Sequence, residues 1–262
     1  MSGAARWNDL APRIISGGLM LVIGMAELWV GGWLFALGVW ILGGLMTWEL
    51  VRMLIPGRDG LAVQLAALSS AVLAVLWVVP VFMAFPLLAS AALVGGGQVP
   101  NRKGLYMISV CAILLGCYAM VMLREYAGLQ WLLWVIVVVI VSDIAGYFAG
   151  RTLGGPKFWP AISPKKTWSG TVAGWVGAAI TGAFFAGPTG AGASLIALSV
   201  AISLAGQMGD IGESAVKRKV GAKDSSNLIP GHGGVLDRFD AMLGAALFAG
   251  LLWILGLLPG LT

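Results

Sequence analysis

LQWLLWVIVVVIVSDIAGYFAG, residues 129–150, decides the fold class. No charged side chain interrupts it before Asp143, and its length is close to the roughly 20 apolar residues a helix needs to cross the hydrocarbon core of a bilayer. Outward from it, comparable runs occupy roughly residues 12–30, 32–50, 60–78, 80–97, 104–123, 170–187, 191–209 and 241–259. The whole chain has 262 residues, 59% hydrophobic and 10% charged. A soluble domain carries about 25% charged residues, so this composition has too few polar side chains to cover a water-facing surface. The expected fold is all-α, a polytopic transmembrane helical bundle of about nine spans. The third and fourth runs are separated only near residues 79–80, so a merged or re-entrant pair stays open, and Pro86 is placed to kink the fourth.

Orientation follows from lysine and arginine. With the N-terminus in the cytoplasm, every basic residue except Arg124 falls on one side: Arg6, Arg13, Arg52, Arg58, Arg102, Lys103, Arg151, Lys157, Lys165, Lys166, Lys217, Arg218, Lys219, Lys223 and Arg238. The positive-inside rule makes that side cytoplasmic. The net charge of +5 therefore reads as a topology signal and not as a nucleic-acid face. Cys111 and Cys117 lie in one apolar run and read as small buried residues, with no disulfide framework or zinc pattern. The stretch from Ile14 to Val30 is long for the apolar part of a cleaved signal. Two regions result: N-terminal spans in residues 1–128, and a region 129–262 holding the two long cytoplasmic loops, 151–168 and 210–240. The many glycines suit close helix packing, compatible with a homodimer without demanding one.

Polar chemistry concentrates in those two loops. RTLGGPKFWPAISPKKTW, residues 151–168, has four basic residues and no acid. It suits either topology and anionic headgroups or the binding of phosphate. Lys165, Lys166 and Thr167 stand just ahead of a span, where a helix N-terminus would add amide donors for phosphate. Asp143, just inside the membrane, is a functional residue by default; its plainer reading is an interfacial pair with Arg151. Glu27 and Glu49 lie near span ends, where a long side chain can reach the interface, and read as structural. In residues 209–240, GDIGESAVKRKVGAKDSSNLIPGHGGVLDRFD, Asp210, Glu213, Ser214 and Lys217 share one face if the eighth helix runs on past the membrane. Asp237 and Asp240 share another at the start of the ninth. A cluster of carboxylates would repel itself without a cation, and hard oxygen ligands select Mg²⁺ or a similar ion over zinc. His232, the single histidine, sits among Gly231, Gly233 and Gly234, whose backbone can approach an anion or adopt positive φ.

These residues carry a resemblance. Residues 214–240 resemble the signature of the phosphatidate cytidylyltransferases, or CDP-diacylglycerol synthases, at Ser214, Lys217, Arg218, Lys223, Asp224, Pro230, His232, Gly233, Gly234, Asp237, Arg238 and Asp240. Asp143, Tyr147, Gly150 and Arg151 resemble a second element of that family, and residues 163–168 a third. Ser169 departs from the acidic residue common there. The likeness covers the chain from Asp143 onward; residues 1–140 resemble the family only as a run of apolar spans. It implies a Mg²⁺-dependent nucleotidyltransferase of a bacterial inner membrane, its active site facing the cytoplasm, that makes CDP-diacylglycerol and pyrophosphate from CTP and phosphatidate. On that reading Asp210 and Asp237 hold the metal, with Asp143 and Asp240 as further ligands or their supports. Lys165, Lys166, Lys217, Arg218, Lys223 and Arg238 hold phosphates, as Arg151 and Thr167 do beside them, and Ser214 orients a substrate. His232 assists proton transfer or positions phosphate. The tail of the lipid phosphate stays open, so a prenyl- or ether-linked substrate is the nearest alternative. An ion-coupled transporter using Asp143 and Asp210 is the alternative from another class; it requires acids near the midplane and access from both sides.

Overall fold

The computed structural model describes residues 10–261, with side chains from residue 14 onward. Arg6, the N-terminus and Thr262 lie outside the described residues, as does the side chain of Arg13. Nine α-helices occur among the described residues: α1 Leu10–Val30, α2 Gly32–Leu54, α3 Asp59–Val75, α4 Ala84–Gln98, α5 Lys103–Met122, α6 Leu129–Thr152, α7 Trp168–Phe185, α8 Ser194–Val220 and α9 Leu236–Ile254. Each expected apolar run carries one. Five segments are long and apolar enough to cross a membrane: Gly32–Leu54, Val81–Gln98, Pro100–Ala127, Leu129–Thr152 and Ser194–Val220. Ile14–Val30 and Asp59–Val75 are apolar but shorter.

Local signals explain the breaks. Helix α3 ends at Val75, and a 3₁₀ turn, Val81–Met83, precedes α4. The third and fourth runs are therefore separate helices. Pro86 falls in the first turn of α4, where a missing N–H removes no intrahelical bond. Helix α6 starts after Gly128, whose φ of 92° belongs to glycine.

The chain divides into two compact units. The first comprises Met1–Cys117 and Lys219–Phe239. Within it α2 and α3 pack side by side. Gly43 and Gly44 bring the backbones close, since a Cβ on Gly43 would meet Leu73 and one on Gly44 would meet Ser70. The Ser70 hydroxyl donates to the Trp40 carbonyl at 2.9 Å, and Arg52 pairs with Asp59 at 2.9 Å across the connecting turn.

The second unit comprises Tyr118–Arg218 and Asp240–Thr262. Helices α6 and α7 are its closest pair. A Cβ on Gly170 would strike the Gly146 carbonyl, and one on Gly174 would meet Ser142 and Gln207. Buried polar bonds tie in α8. Trp134 Nε1 donates to Ser199 at 2.7 Å, the Ser142 and Ser203 hydroxyls meet at 2.6 Å, and Trp175 Nε1 donates to Gln207 Oε1 at 3.1 Å. Interhelical bonds of this kind contribute about 0.6–2 kcal/mol each in a bilayer. The fold also departs from a purely helical reading. Residues 157–167 form an antiparallel hairpin, β1 Lys157–Trp159 with β2 Ser163–Thr167, closed by an edge-to-face contact of Phe158 with Trp168 at 4.7 Å.

Candidate active site

The second unit gathers carboxylates and lysines from α6, α8, the start of α9 and the hairpin. Helix α8 continues to Val220, so Asp210, Glu213, Ser214 and Lys217 do share a face. The Ser214 hydroxyl donates to Asp210 Oδ1 at 3.4 Å, and Lys217 pairs with the buried Glu213 one turn earlier. Helix α9 crosses α8 at two glycines: a Cβ on Gly209 would meet the Asp240 carbonyl, and one on Gly244 would meet that of Ala205. This crossing sets Asp240 within electrostatic range of Asp210, Lys217 and Asp143. Asp143, on α6, is likewise within range of Lys166 and Asp210.

The hairpin separates two neighbouring lysines. Successive side chains of a strand point to opposite faces. Lys166, half-buried, pairs with Asp210 Oδ2 at 2.5 Å and reaches the Gln207 carbonyl at 3.5 Å; Lys165 is exposed. The cation facing Asp143 is thus Lys166. Arg151, the partner the plainer reading supposes, donates instead to the Tyr147 hydroxyl at 2.6 Å. Thr167 is buried and caps α7, accepting from the Gly170 amide at 3.2 Å. Ser169 donates to the Gly154 carbonyl, a structural task that suits a hydroxyl where an acid is common.

In the first unit, residues 224–235 form a loop held on two carboxylates. Asp237 accepts from the Ser225 amide at 2.9 Å, the Ser225 hydroxyl at 2.9 Å and the Gly234 amide at 2.9 Å. Glu49 accepts four further bonds from the loop and from the start of α9. It is fully buried, so it does not reach out to the interface as expected of a span-end glutamate. His232 lies at a tight turn between Gly231, φ 75°, and Gly233, φ 84°. Its Nδ1 meets the Ser16 hydroxyl at 2.9 Å, and its carbonyl accepts from Arg238 Nε at 2.8 Å. Arg218 and Lys223 are exposed. Sequence reasoning missed Glu49; the one available signal was an acid in an otherwise apolar helix.

The donor chemistry suits a hard cation. Asp143, Asp210 and Asp240 offer only oxygen, and they stand close enough to repel one another. Among the described residues no three His, Cys, Asp or Glu side chains form a ready-made cage.

The profile described as the Cytidylyltransferase family matches residues 11–255. The chain belongs to the cytidylyltransferase family. As a family member it is similar to the phosphatidate cytidylyltransferase of Bacillus subtilis, 32% identical over 260 residues, 90% of this chain and 94% of that one. The Helicobacter pylori enzyme of that name is 37% identical over 183 residues, 67% of this chain and 68% of the relative. The Brucella melitensis one is 49% identical over 127 residues. There the match spans about half the length of each chain, 47% of this one and 46% of the relative. With its long apolar helices, this cytidylyltransferase-family chain is an integral membrane protein.

Proposed function

We propose that the chain transfers the cytidylyl group of CTP to phosphatidate, releasing pyrophosphate and leaving CDP-diacylglycerol in the membrane for phospholipid synthesis. One observation carries the reading. The run from Ser214 to Asp240 resembles the signature of phosphatidate cytidylyltransferases, in a chain similar to a protein of that name over nearly its whole length. A phosphate oxygen of phosphatidate attacks the α-phosphorus of CTP, a new P–O–P bond forms, and the α–β bond breaks. Both reactants are anions, so charge neutralisation is the main demand on the protein. Mg²⁺, when bound, would draw charge from the phosphate oxygens and the leaving pyrophosphate.

In the second unit Asp210 and Asp143 are the proposed metal ligands, with Asp240 beside them. Asp237, in the first unit, is likewise a proposed metal ligand, and there it also anchors the loop. Lys166, Lys217, Arg151, Arg218, Lys223 and Arg238 are proposed to hold phosphates, with Ser214 and Thr167 as hydroxyl partners, while Lys165, exposed beside Lys166, is proposed to serve as a topology signal. No strong base is required, because a phosphate monoester is already largely ionised near neutral pH, so His232 is proposed to position phosphate or relay a proton. The proposed topology has nine spans, a cytoplasmic N-terminus and an active site at the cytoplasmic face of a bacterial inner membrane. The diacyl tails then remain in lipid while CTP arrives from water. Incubation of the purified protein with CTP, Mg²⁺ and either phosphatidate or a polyprenyl phosphate tests the substrate. Phosphatidate should be consumed at least tenfold faster; preference for the prenyl compound would reassign the lipid.

A further inference from the structure

Burying a carboxylate is costly unless its oxygens are satisfied, and Glu49 is fully buried near the end of α2. Its Oε1 accepts from the Ser226 hydroxyl at 2.5 Å and the Val235 amide at 2.8 Å. Its Oε2 accepts from the Ser225 hydroxyl at 3.1 Å and the Leu236 amide at 2.7 Å. Val235 immediately precedes α9 and Leu236 is its first residue. Their amides are among the donors a helix start leaves without an intrahelical partner, and a negative group there is favoured by the helix dipole. Helix α9 is therefore capped by a residue 186 positions away in sequence.

The same carboxylate closes the loop at its other end. The Ser225 hydroxyl stands between Glu49 Oε2 and Asp237 Oδ2, and Asp237 holds the Ser225 and Gly234 amides. Gly234 lies against Glu49 so closely that a Cβ would run into both the Ser225 hydroxyl and the carboxylate. His232 is carried on the turn between these anchors, and Arg238 follows one residue after Asp237. We infer that Glu49 is a positioning residue for the reaction: its carboxylate sets the geometry of residues 225–236, and through them the placement of Asp237, His232 and Arg238. This rests on the proposed function, and it adds a residue outside the signature.

Glu49→Gln is the discriminating variant because it keeps the volume. Hydroxyls of Ser225 and Ser226 can rotate to accept from the new NH₂, but a backbone amide cannot. Whichever way the amide is turned, its NH₂ opposes Val235 or Leu236. Three readouts are taken on detergent-purified protein: kcat and KM with CTP and phosphatidate, thermal unfolding, and hydrogen–deuterium exchange of peptides covering residues 224–236 and 103–122. Expected are a kcat at least tenfold lower, exchange raised in 224–236 but not in 103–122, and a protein that still unfolds cooperatively. Ser226→Ala, a milder lesion of the same contact, should lower kcat several-fold and add nothing further when combined with Glu49→Gln. If Glu49→Gln fails to insert, Ser226→Ala alone decides by the same two readouts. A kcat within twofold of the wild type, or unchanged exchange in the loop, overturns the inference. If the wild type itself does not turn over CTP and phosphatidate, the functional reading falls instead. The exchange data then decide whether Glu49 orders the loop.

Discussion

Replacing Lys166 with alanine, beside the same change at Lys165, separates a site residue from a topology signal. The two lysines are adjacent, carry the same charge and would contribute alike to the positive-inside bias. They differ in what they face. Lys166 pairs with Asp210 at 2.5 Å, both side chains being about one quarter to one third exposed; Lys165 is exposed. A fully exposed pair contributes about 0.2–1 kcal/mol, and breaking a fully buried one costs about 3–5 kcal/mol. This partly exposed pair falls between, at about 1–3 kcal/mol. Each 1.4 kcal/mol is tenfold in rate or affinity, so Lys166→Ala, taken as losing that energy in the transition state, should lower kcat/KM by about 5- to 150-fold. Lys165→Ala should lower it by no more than about threefold. The assay is release of pyrophosphate from CTP with phosphatidate in mixed micelles, each variant first shown to insert to the wild-type level. Equal losses in the two variants, or none for Lys166→Ala, would refute the assignment.

Gly234→Ala should reduce turnover at least tenfold with only a small loss of thermal stability, because the added methyl meets Ser225 and Glu49 and moves the loop; turnover and melting measured on one preparation check this. Gly170→Ala should instead destabilise the protein by about 1–3 kcal/mol, since its Cβ meets the Gly146 carbonyl across the α6–α7 contact, as read by unfolding in detergent. Thr167→Ala should cost about 1 kcal/mol through loss of the α7 cap, and Thr167→Ser should restore it, as read by thermal unfolding; failure of serine to rescue would show that the hydroxyl cap is not what holds the start of α7.

The helices were legible because lipid demands long uninterrupted apolar runs. Residues 129–150 yielded Leu129–Thr152 almost to the residue, and the shared face of Asp210 and Lys217 followed from extending α8 by helical periodicity. Less visible were features set by distant partners. Glu49 looks like any span-end acid until the fold brings Ser225, Ser226 and the start of α9 onto it. The hairpin at residues 157–167 hid in a loop rich in glycine, proline and lysine, where neither apolar periodicity is clear. Without its pleat, Lys165 and Lys166 read as one basic pair. The grouping of Lys219–Phe239 with the N-terminal helices likewise depends on Glu49 and Ser16, which no local pattern connects to that loop.

The most direct measurement follows the label from CTP carrying isotope at its α-phosphorus, incubated with the purified protein, phosphatidate and Mg²⁺. Label should enter the lipid phase as CDP-diacylglycerol, with one unlabelled pyrophosphate appearing per transfer, and Asp210→Ala and Asp237→Ala should each abolish both while still inserting. Label remaining in water-soluble products, or substantial transfer in either aspartate variant, would contradict it.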